Sequence, residues 1–246
     1  MNSFRADIHI HTVLSPCGDL YMSPINIIKK AKEMELDIIG ITDHNSTKQC
    51  LTVKKLGNEY GIFTLCGAEI TTKEEIHSLV YFENDENLMT FQKYIDEHLP
   101  FVENDVNKLG YQLIVDEEEN VIEEEERSLY SALDISIDNL ADEVHRLNGI
   151  FIPAHVNKSK NSIISQLGFV PPTLKADGYE ISRHISKEDF LKTNSYLNSY
   201  TFISNSDAHA IADVGSVTNT FYMNELSFEE IKRALLKENG REIIIN

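Results

Sequence analysis

The sequence predicts an α/β protein, a barrel in which strands alternate with helices and chemistry gathers at the C-terminal strand ends. Three observations predict it. Short β-rich runs alternate with helix-period segments along the whole chain. The 246 residues suit a single barrel domain, 1–246, better than two small domains. Histidines and carboxylates collect directly after predicted strands instead of scattering.

Each element has a local signal. Arg5–His11 alternates, with Ala6, Ile8 and Ile10 on one face and Asp7, His9 and His11 on the other. Ser23-Pro24 reads as the N-cap and first residue of a helix to about Glu35, because proline there loses only an N–H that has no helical partner. Asp37–Thr42 is a buried strand, and Ser46 caps a helix ending near Gly61. Ile62–Glu69 and Ile76–Phe82 are the next strands. Asn87–Leu109 is helical with an interruption near Pro100, inside an acidic excursion of helix and loop at about 84–128. Within it, 116–126 holds eight carboxylates in eleven positions, as a solvated helix face or loop does. Ile137–Asn148 is helical, Gly149–Ala154 a strand, Asn161–Leu167 a short helix and Asp177–Ser182 a strand. Lys187–Leu197 is a helix, Thr201–Asn205 a strand, and Thr220–Met223 a further short strand. Ser227 opens the last helix, with Glu230 at the N3 position of a capping box, and Gly240 stops it.

The chain carries 22 Lys+Arg against 40 Asp+Glu, a net charge of −18. Removing 116–126 still leaves −10, so the acidity is global. That charge argues against a nucleic-acid clamp or an anionic membrane surface, which need a basic footprint. The expectation is a small phosphorylated substrate, no long nucleic acid and no membrane partner. Cys17, Cys50 and Cys66 are odd in number and lack paired spacing, which fits a reducing compartment instead of a disulfide framework. No signal-peptide pattern opens the chain, and no apolar run approaches the ~18–20 residues of a membrane span. A cytoplasmic location is expected.

The clustered residues point to metal. His9 and His11 end the first strand, Asp43-His44 follows the second, and Glu69 ends the third. His155 follows Gly149–Ala154, and Asp207 and His209 follow Thr201–Asn205. His77 starts a strand eight residues after Glu69, too few for a parallel crossover. Those two strands must therefore be antiparallel neighbours, which brings His77 to the face of Glu69 and distorts the barrel. Histidines at i and i+2 of a strand grip one ion from one face. A glutamate bridges two. Mixed histidine and carboxylate donors without clustered cysteines suit Zn, Mn or Fe, and this many donors imply two or three ions. Such an arrangement clamps the oxygens of a phosphoryl group. Arg183 and His184 follow the strand Asp177–Ser182, and Lys158 and Lys160 follow His155. These are the candidate donors to substrate oxygens.

His9-Ile10-His11-Thr12, Thr42-Asp43-His44-Asn45, Gly67-Ala68-Glu69, His77, Pro153-Ala154-His155 and Ser206-Asp207-Ala208-His209 together resemble the PHP (polymerase and histidinol phosphatase) family over most of the chain. The resemblance implies a distorted (β/α)7 barrel, a three-metal site at the C-terminal strand ends and phosphoesterase activity. It implies a first ion on His9, His11, Glu69 and Asp207, a second on Glu69, His77 and His155, and a third on His44 and His209. The family's further ligand after the H-x-H motif falls on Asp19, with Cys17 as the other candidate. Asp43 would orient its neighbours. The implied reaction is hydrolysis of a small phosphomonoester or nucleotide by metal-activated hydroxide, with Glu69, Asp207 and His209 at the reacting group. The alternatives are an amidohydrolase-type C–N hydrolase, whose bridging lysine has no counterpart at a strand end here, and a non-catalytic metal-binding regulatory module.

Overall fold

The computed structural model describes residues 1–246. The first half contains β1 (Asn2–Ile10), α1 (Pro24–Glu33), β2 (Ile38–Ile41), α2 (Cys50–Tyr60), β3 (Phe63–Thr71), β4 (His77–Phe82) and α3 (Asp85–His98). Then come α4 (Val106–Leu109), β5 (Leu113–Val115), β6 (Val121–Glu124), α5 (Ile137–Arg146), β7 (Ile150–Pro153) and α6 (Ile163–Leu167). The chain closes with β8 (Tyr179–Glu180), α7 (Lys187–Thr193), β9 (Phe202–Ile203), β10 (Asn219–Met223), α8 (Phe228–Leu235) and β11 (Glu242–Ile245). No helix is long and apolar enough to cross a membrane.

One sheet runs β11-β10-β1-β2-β3-β4-β7, and β8 pairs with β9. β1, β2 and β3 are parallel, while β4 is antiparallel to both β3 and β7. Backbone hydrogen bonds complete the ring. Val156 N donates to Glu180 O at 2.8 Å, and His11 N donates to Ala208 O at 3.0 Å. The result is a distorted barrel of seven strands, β1-β2-β3-β4-β7-β8-β9, with β10 and β11 as an antiparallel extension of β1. The reversed strand is the one that the short Glu69–His77 connection predicts.

Two apolar layers hold the barrel. Inside it pack Ile8, Ile38, Leu65, Leu79, Tyr81 and Ile152, with Phe228 and Ile231 of α8 among them. Outside, Ile39, Ala68, Val80 and Phe151 meet the apolar faces of α1, α2, α3 and α5. Successive residues of β3 and β4 alternate between these layers, as a pleated strand requires.

β1 departs from the alternation. Ala6 and Ile8 belong to the inner layer but Ile10 to the outer one. The pairing of β1 with β2 shifts register between Asp7 and Ile10. This bulge corrects the expectation that Ala6, Ile8 and Ile10 share a face: an extra residue on one strand breaks the period of two and re-aims the side chains beyond it. Its freed polar groups find partners far away in sequence. Ile8 N donates to Asn205 Oδ1 at 3.0 Å, and the Tyr81 hydroxyl donates to Ile8 O.

Of the solvated helix face or loop expected for the acidic run, the structure shows an exposed segment and no helix. It forms the turn and outer strand of the β5–β6 hairpin, with every residue of β6 exposed. Lys48 pairs with Glu123 at 2.6 Å and Glu125 at 2.7 Å, so part of the charge pins the hairpin to the barrel. The helical stretch over 87–109 is interrupted near Pro100 as expected: α3 ends at His98, Leu99 is extended ahead of Pro100, and α4 resumes at Val106. Glu230 does not close the capping box; its carboxylate takes Asn224 N at 2.8 Å and Arg241 Nη2 at 2.7 Å, tying α8 to the start of β11.

Candidate metal centre

The C-terminal ends of β1, β2, β3, β7 and β9, with the start of β4, meet in one place. Glu69, on the inward face of β3 and 1% exposed, sits at the middle. Its Oε1 lies 3.0 Å from His77 Nδ1, 3.1 Å from His155 Nε2 and 3.5 Å from His9 Nε2. Its Oε2 lies 3.1 Å from His44 Nδ1 and 3.4 Å from His11 Nε2. Asp207 Oδ1 is 3.3 Å from His9 Nε2 and 3.4 Å from His11 Nε2. The His209 ring stacks on His11 at 4.1 Å between centroids.

The donor atoms form three tight groups: His9, His11, Glu69 and Asp207; His44, Glu69 and His77; and His11, His44 and His209. His155 joins the second through Glu69 Oε1. Backbone strain holds two of the contributors. His155 has φ 29 and Asp207 φ 52, in the left-handed region that β-carbons disfavour, as at sites where geometry outweighs local comfort.

The protonation pattern fits divalent cations. His9 Nδ1 lies 3.0 Å from Glu180 Oε1 and therefore carries the proton, leaving a lone pair on Nε2. His11 Nδ1 lies 2.9 Å from Ser15 Oγ, whose own proton goes to Asp43 Oδ1 at 2.7 Å. His11 thus also presents an Nε2 lone pair. The two Nε2 atoms are 3.2 Å apart, facing two carboxylates. Acceptors crowded this closely match a cation and each other only through one. With no cation between them, these groups pair with one another. Burial pushes His9 down, but Glu180, Asp207 and Glu69 outweigh it and hold His9 well above the ordinary histidine range. Glu69 likewise lifts His44 to about 9 against burial. A bound cation would displace these protons. Burial pushes the Glu69 carboxyl up, but His77, His9 and His44 outweigh it and hold Glu69 well below the usual range. Burial and neighbouring His11 push His209 down to about 3, so it stays a neutral donor.

Asp43 accepts from Thr12 N and Thr12 Oγ1, both at 2.7 Å, and from Ser15, so it orients the β1 end as expected. The structure does not bring Asp19 to the cluster. Its side chain is exposed and accepts from Tyr21 N at 2.9 Å, within a tight turn whose Asp19 N donates to His209 O at 2.8 Å. Cys17, two residues earlier, lines the pocket beside His44 instead. Lys158 reaches Asp207 Oδ2 at 2.5 Å. Arg183 and His184 line an opening of about 110 Å³ next to His155 and Asp207, and Lys160 lines a second opening of about 290 Å³.

Glu180 is the functional residue that sequence reasoning passed over. It is 2% exposed, grips His9 through both oxygens, accepts from His155 N at 2.9 Å and from Asn205 Nδ2 at 2.8 Å. The signal was present: alternation in Asp177–Ser182 sets Glu180 opposite Tyr179 and Ile181, hence inward at a C-terminal strand end. A carboxylate behind a ligating histidine fixes tautomer and ring angle. Glu180→Gln should therefore weaken ion affinity by roughly 10–100-fold while full occupancy returns at high ion concentration. Titration calorimetry that gave wild-type affinity would remove this role.

Comparison with known proteins gives the geometry a context. The family model described as PHP domain matches residues 7–167, and one described as PHP-associated matches 197–239. The uncharacterized protein MJ1587 of Methanocaldococcus jannaschii is 38% identical over 78 residues, covering 28% of this chain and 46% of that protein. The uncharacterized protein YqxK of Bacillus subtilis is 24% identical over 277 residues, covering 100% of this chain and 65% of that protein. The chain thus spans about half to two-thirds of the length of these curated relatives. The lesion-specific endonuclease PfuEndoQ from Pyrococcus furiosus superposes with a TM-score of 0.72 at 19% identity, over 98% of this chain and 58% of that one.

One expectation is overturned here. Endonuclease Q has also been solved with a 27-mer duplex carrying an abasic lesion at the active site, and that structure superposes with a TM-score of 0.71 at 19% identity, over 98% of this chain and 58% of that one. Endonuclease Q, of which this chain covers 58%, thus takes a long duplex as substrate, so the exclusion of such partners on the charge of −18 does not hold. Net charge averages over a whole surface, whereas a nucleic acid meets the field of one groove.

Proposed function

The chain belongs to the PHP domain family, and on that premise we propose that it is a metal-dependent hydrolase of phosphoric esters. The carrying observation is Glu69, whose two oxygens divide five imidazoles between them, three on Oε1 and two on Oε2, within 3.5 Å. This is the donor arrangement of a carboxylate bridging two ions. His9, His11, Glu69 and Asp207 would hold one divalent ion, Glu69, His77 and His155 a second, and His11, His44 and His209 a third. Zn, Mn and Fe suit these donors. When bound, such ions supply Lewis acidity and make a water a better nucleophile.

The chain's own residues do the rest. Glu180 and Ser15 fix the tautomers of His9 and His11. Lys158 places an ammonium at the substrate side of Asp207, where it attracts a phosphate oxygen. Arg183, 44% exposed in its side chain, holds only a 3.8 Å contact to Asp213 and is free to turn toward an anion. Buried walls around Glu69 keep bulk water from competing. The C–N hydrolase alternative loses ground because the bridging position is Glu69 and no lysine occupies it. The non-catalytic alternative loses ground because every expected donor except Asp19 meets at the cluster.

Elemental analysis paired with a phosphoester panel tests the reading. The panel should include monoesters, nucleotides and DNA strands. Two or three ions per chain with phosphoester cleavage is the expected result. Full ion content with no cleavage of any member would refute it.

A further inference from the structure

The two ion sites that share Glu69 are not alike. The first, on His9, His11, Glu69 and Asp207, has two carboxylates of its own. The Glu180 carboxylate backs His9 at 3.0 Å, and Ser15, bound to Asp43, backs His11 at 2.9 Å. Both rings are fully buried. The second, on Glu69, His77 and His155, has only the shared carboxylate. His155 Nδ1 is buried with no hydrogen-bond partner, so nothing fixes the tautomer of that ring. His77 is backed by a neutral amide, with Asn161 Nδ2 at 2.7 Å from His77 Nε2. Lys158 and Lys160 line the opening in front of this site, and His77 keeps 12% of its side chain exposed. Fewer anions and nearby ammonium groups lower the affinity for a cation. Open access lets that cation exchange.

The amide matters beyond its lack of charge. An NH₂ group only donates, so His77 Nε2 accepts and the ring proton sits on Nδ1. Nδ1 is the atom that faces Glu69 Oε1, at 3.0 Å. A proton therefore occupies the position that a cation would take. Loading the second site needs two coupled changes: the proton moves to Nε2, and the Asn161 amide turns so that Oδ1 accepts it. Asn161 is placed to do this with its backbone at rest. Its carbonyl oxygen takes His77 N at 3.0 Å, which fixes it beside the ring. Its φ of 54° lies in the left-handed region, which asparagine adopts more readily than most residues. His9 needs no such turn, because the acceptor behind its Nδ1 is already a carboxylate.

We propose that the two ions bridged by Glu69 are held unequally, the first resident and the second drawn from the surrounding pool. Asn161 is the positioning residue that switches His77 between its ion-free and ion-bound tautomers. Occupancy of the second site, and hydrolysis with it, then follows the free divalent-ion concentration. This rests on the metal-dependent reading above and names its regulation.

Calorimetric titration of the ion-free full chain with Mn²⁺ tests this, and electron paramagnetic resonance of the same samples shows when a spin-coupled pair forms. Wild type should give a tight step and a weaker one at least about 10-fold apart, with coupling appearing only after the first. Asn161→Asp keeps a residue that tolerates the left-handed backbone, and its carboxylate only accepts. It should tighten the weaker step by about 10-fold or more relative to the first. Asn161→Gly also suits that backbone but removes the acceptor, and it should weaken the same step by about 10-fold. Glu180→Gln should weaken the first step instead. Equal affinity for the first two ions would overturn this inference and leave the broader reading standing. So would either Asn161 variant that left the weaker step unmoved. A chain that took up no ion would overturn both.

Discussion

Glu69→Ala should cost the protein at least one ion per chain and lower phosphoester cleavage by about 10³-fold or more, beyond the 10–100-fold typical of residues that only orient a ligand. The physical reason is position. Glu69 is the one carboxylate within 3.5 Å of all five of His9, His11, His44, His77 and His155, and its removal leaves His44, His77 and His155 without a carboxylate partner in a buried site, while Asp207 and Glu180 still serve His9 and His11. Glu69→Gln separates charge from shape. It keeps the volume and one oxygen, but its NH₂ group donates where a ligand must accept. It should therefore fail nearly as badly as alanine. Elemental analysis and phosphate release read both effects, and either variant with wild-type ion content would show that Glu69 does not bridge.

Gly40→Ala should damage fold and site together. Gly40 faces the barrel interior on β2, and a β-carbon there would lie 2.2 Å from Ile8 O and 2.7 Å from Ile8 Cα. Both are backbone atoms of the β1 bulge, so no side chain is available to swing aside. The bulge would have to move, and with it the Tyr81 hydroxyl bond to Ile8 O and the aim of His9. A loss of about 3 kcal/mol is expected, at the upper end of overpacking costs. Gly178→Ala is the control, because its β-carbon meets only the Leu235 side chain at 3.1 Å and Thr201 O at 3.3 Å. Urea denaturation should place Gly40→Ala well below wild type and Gly178→Ala close to it. Equal midpoints for the two would mean that the close approach of β1 and β2 carries no strain.

These two residues mark how far the sequence could be read. Glu69 was legible, because a carboxylate closing a β-branched and apolar run eight residues before His77 can only sit beside it. Gly40 was not, because DIIGIT reads the same whether its glycine is incidental or makes room for a neighbouring backbone. Cys17 and Asp19 show the same limit: both lie near the H-x-H motif, and turn geometry selects which of them faces the pocket.

By itself, the sequence determined the α/β alternation, the reversed β4 and the set of histidines and carboxylates at the strand ends. These come from short-range rules: periodicity, the length of a connection and the residue types that bind metal. Tertiary structure alone decided the bulge in β1, the pairing of His9 with Glu180 and the Asn205 and Tyr81 partners of Ile8, contacts that join residues 73 to 197 positions apart. The physical reason is that direction and proximity in these cases are set by closure of the barrel, which brings together groups whose separation along the chain carries no information about their meeting.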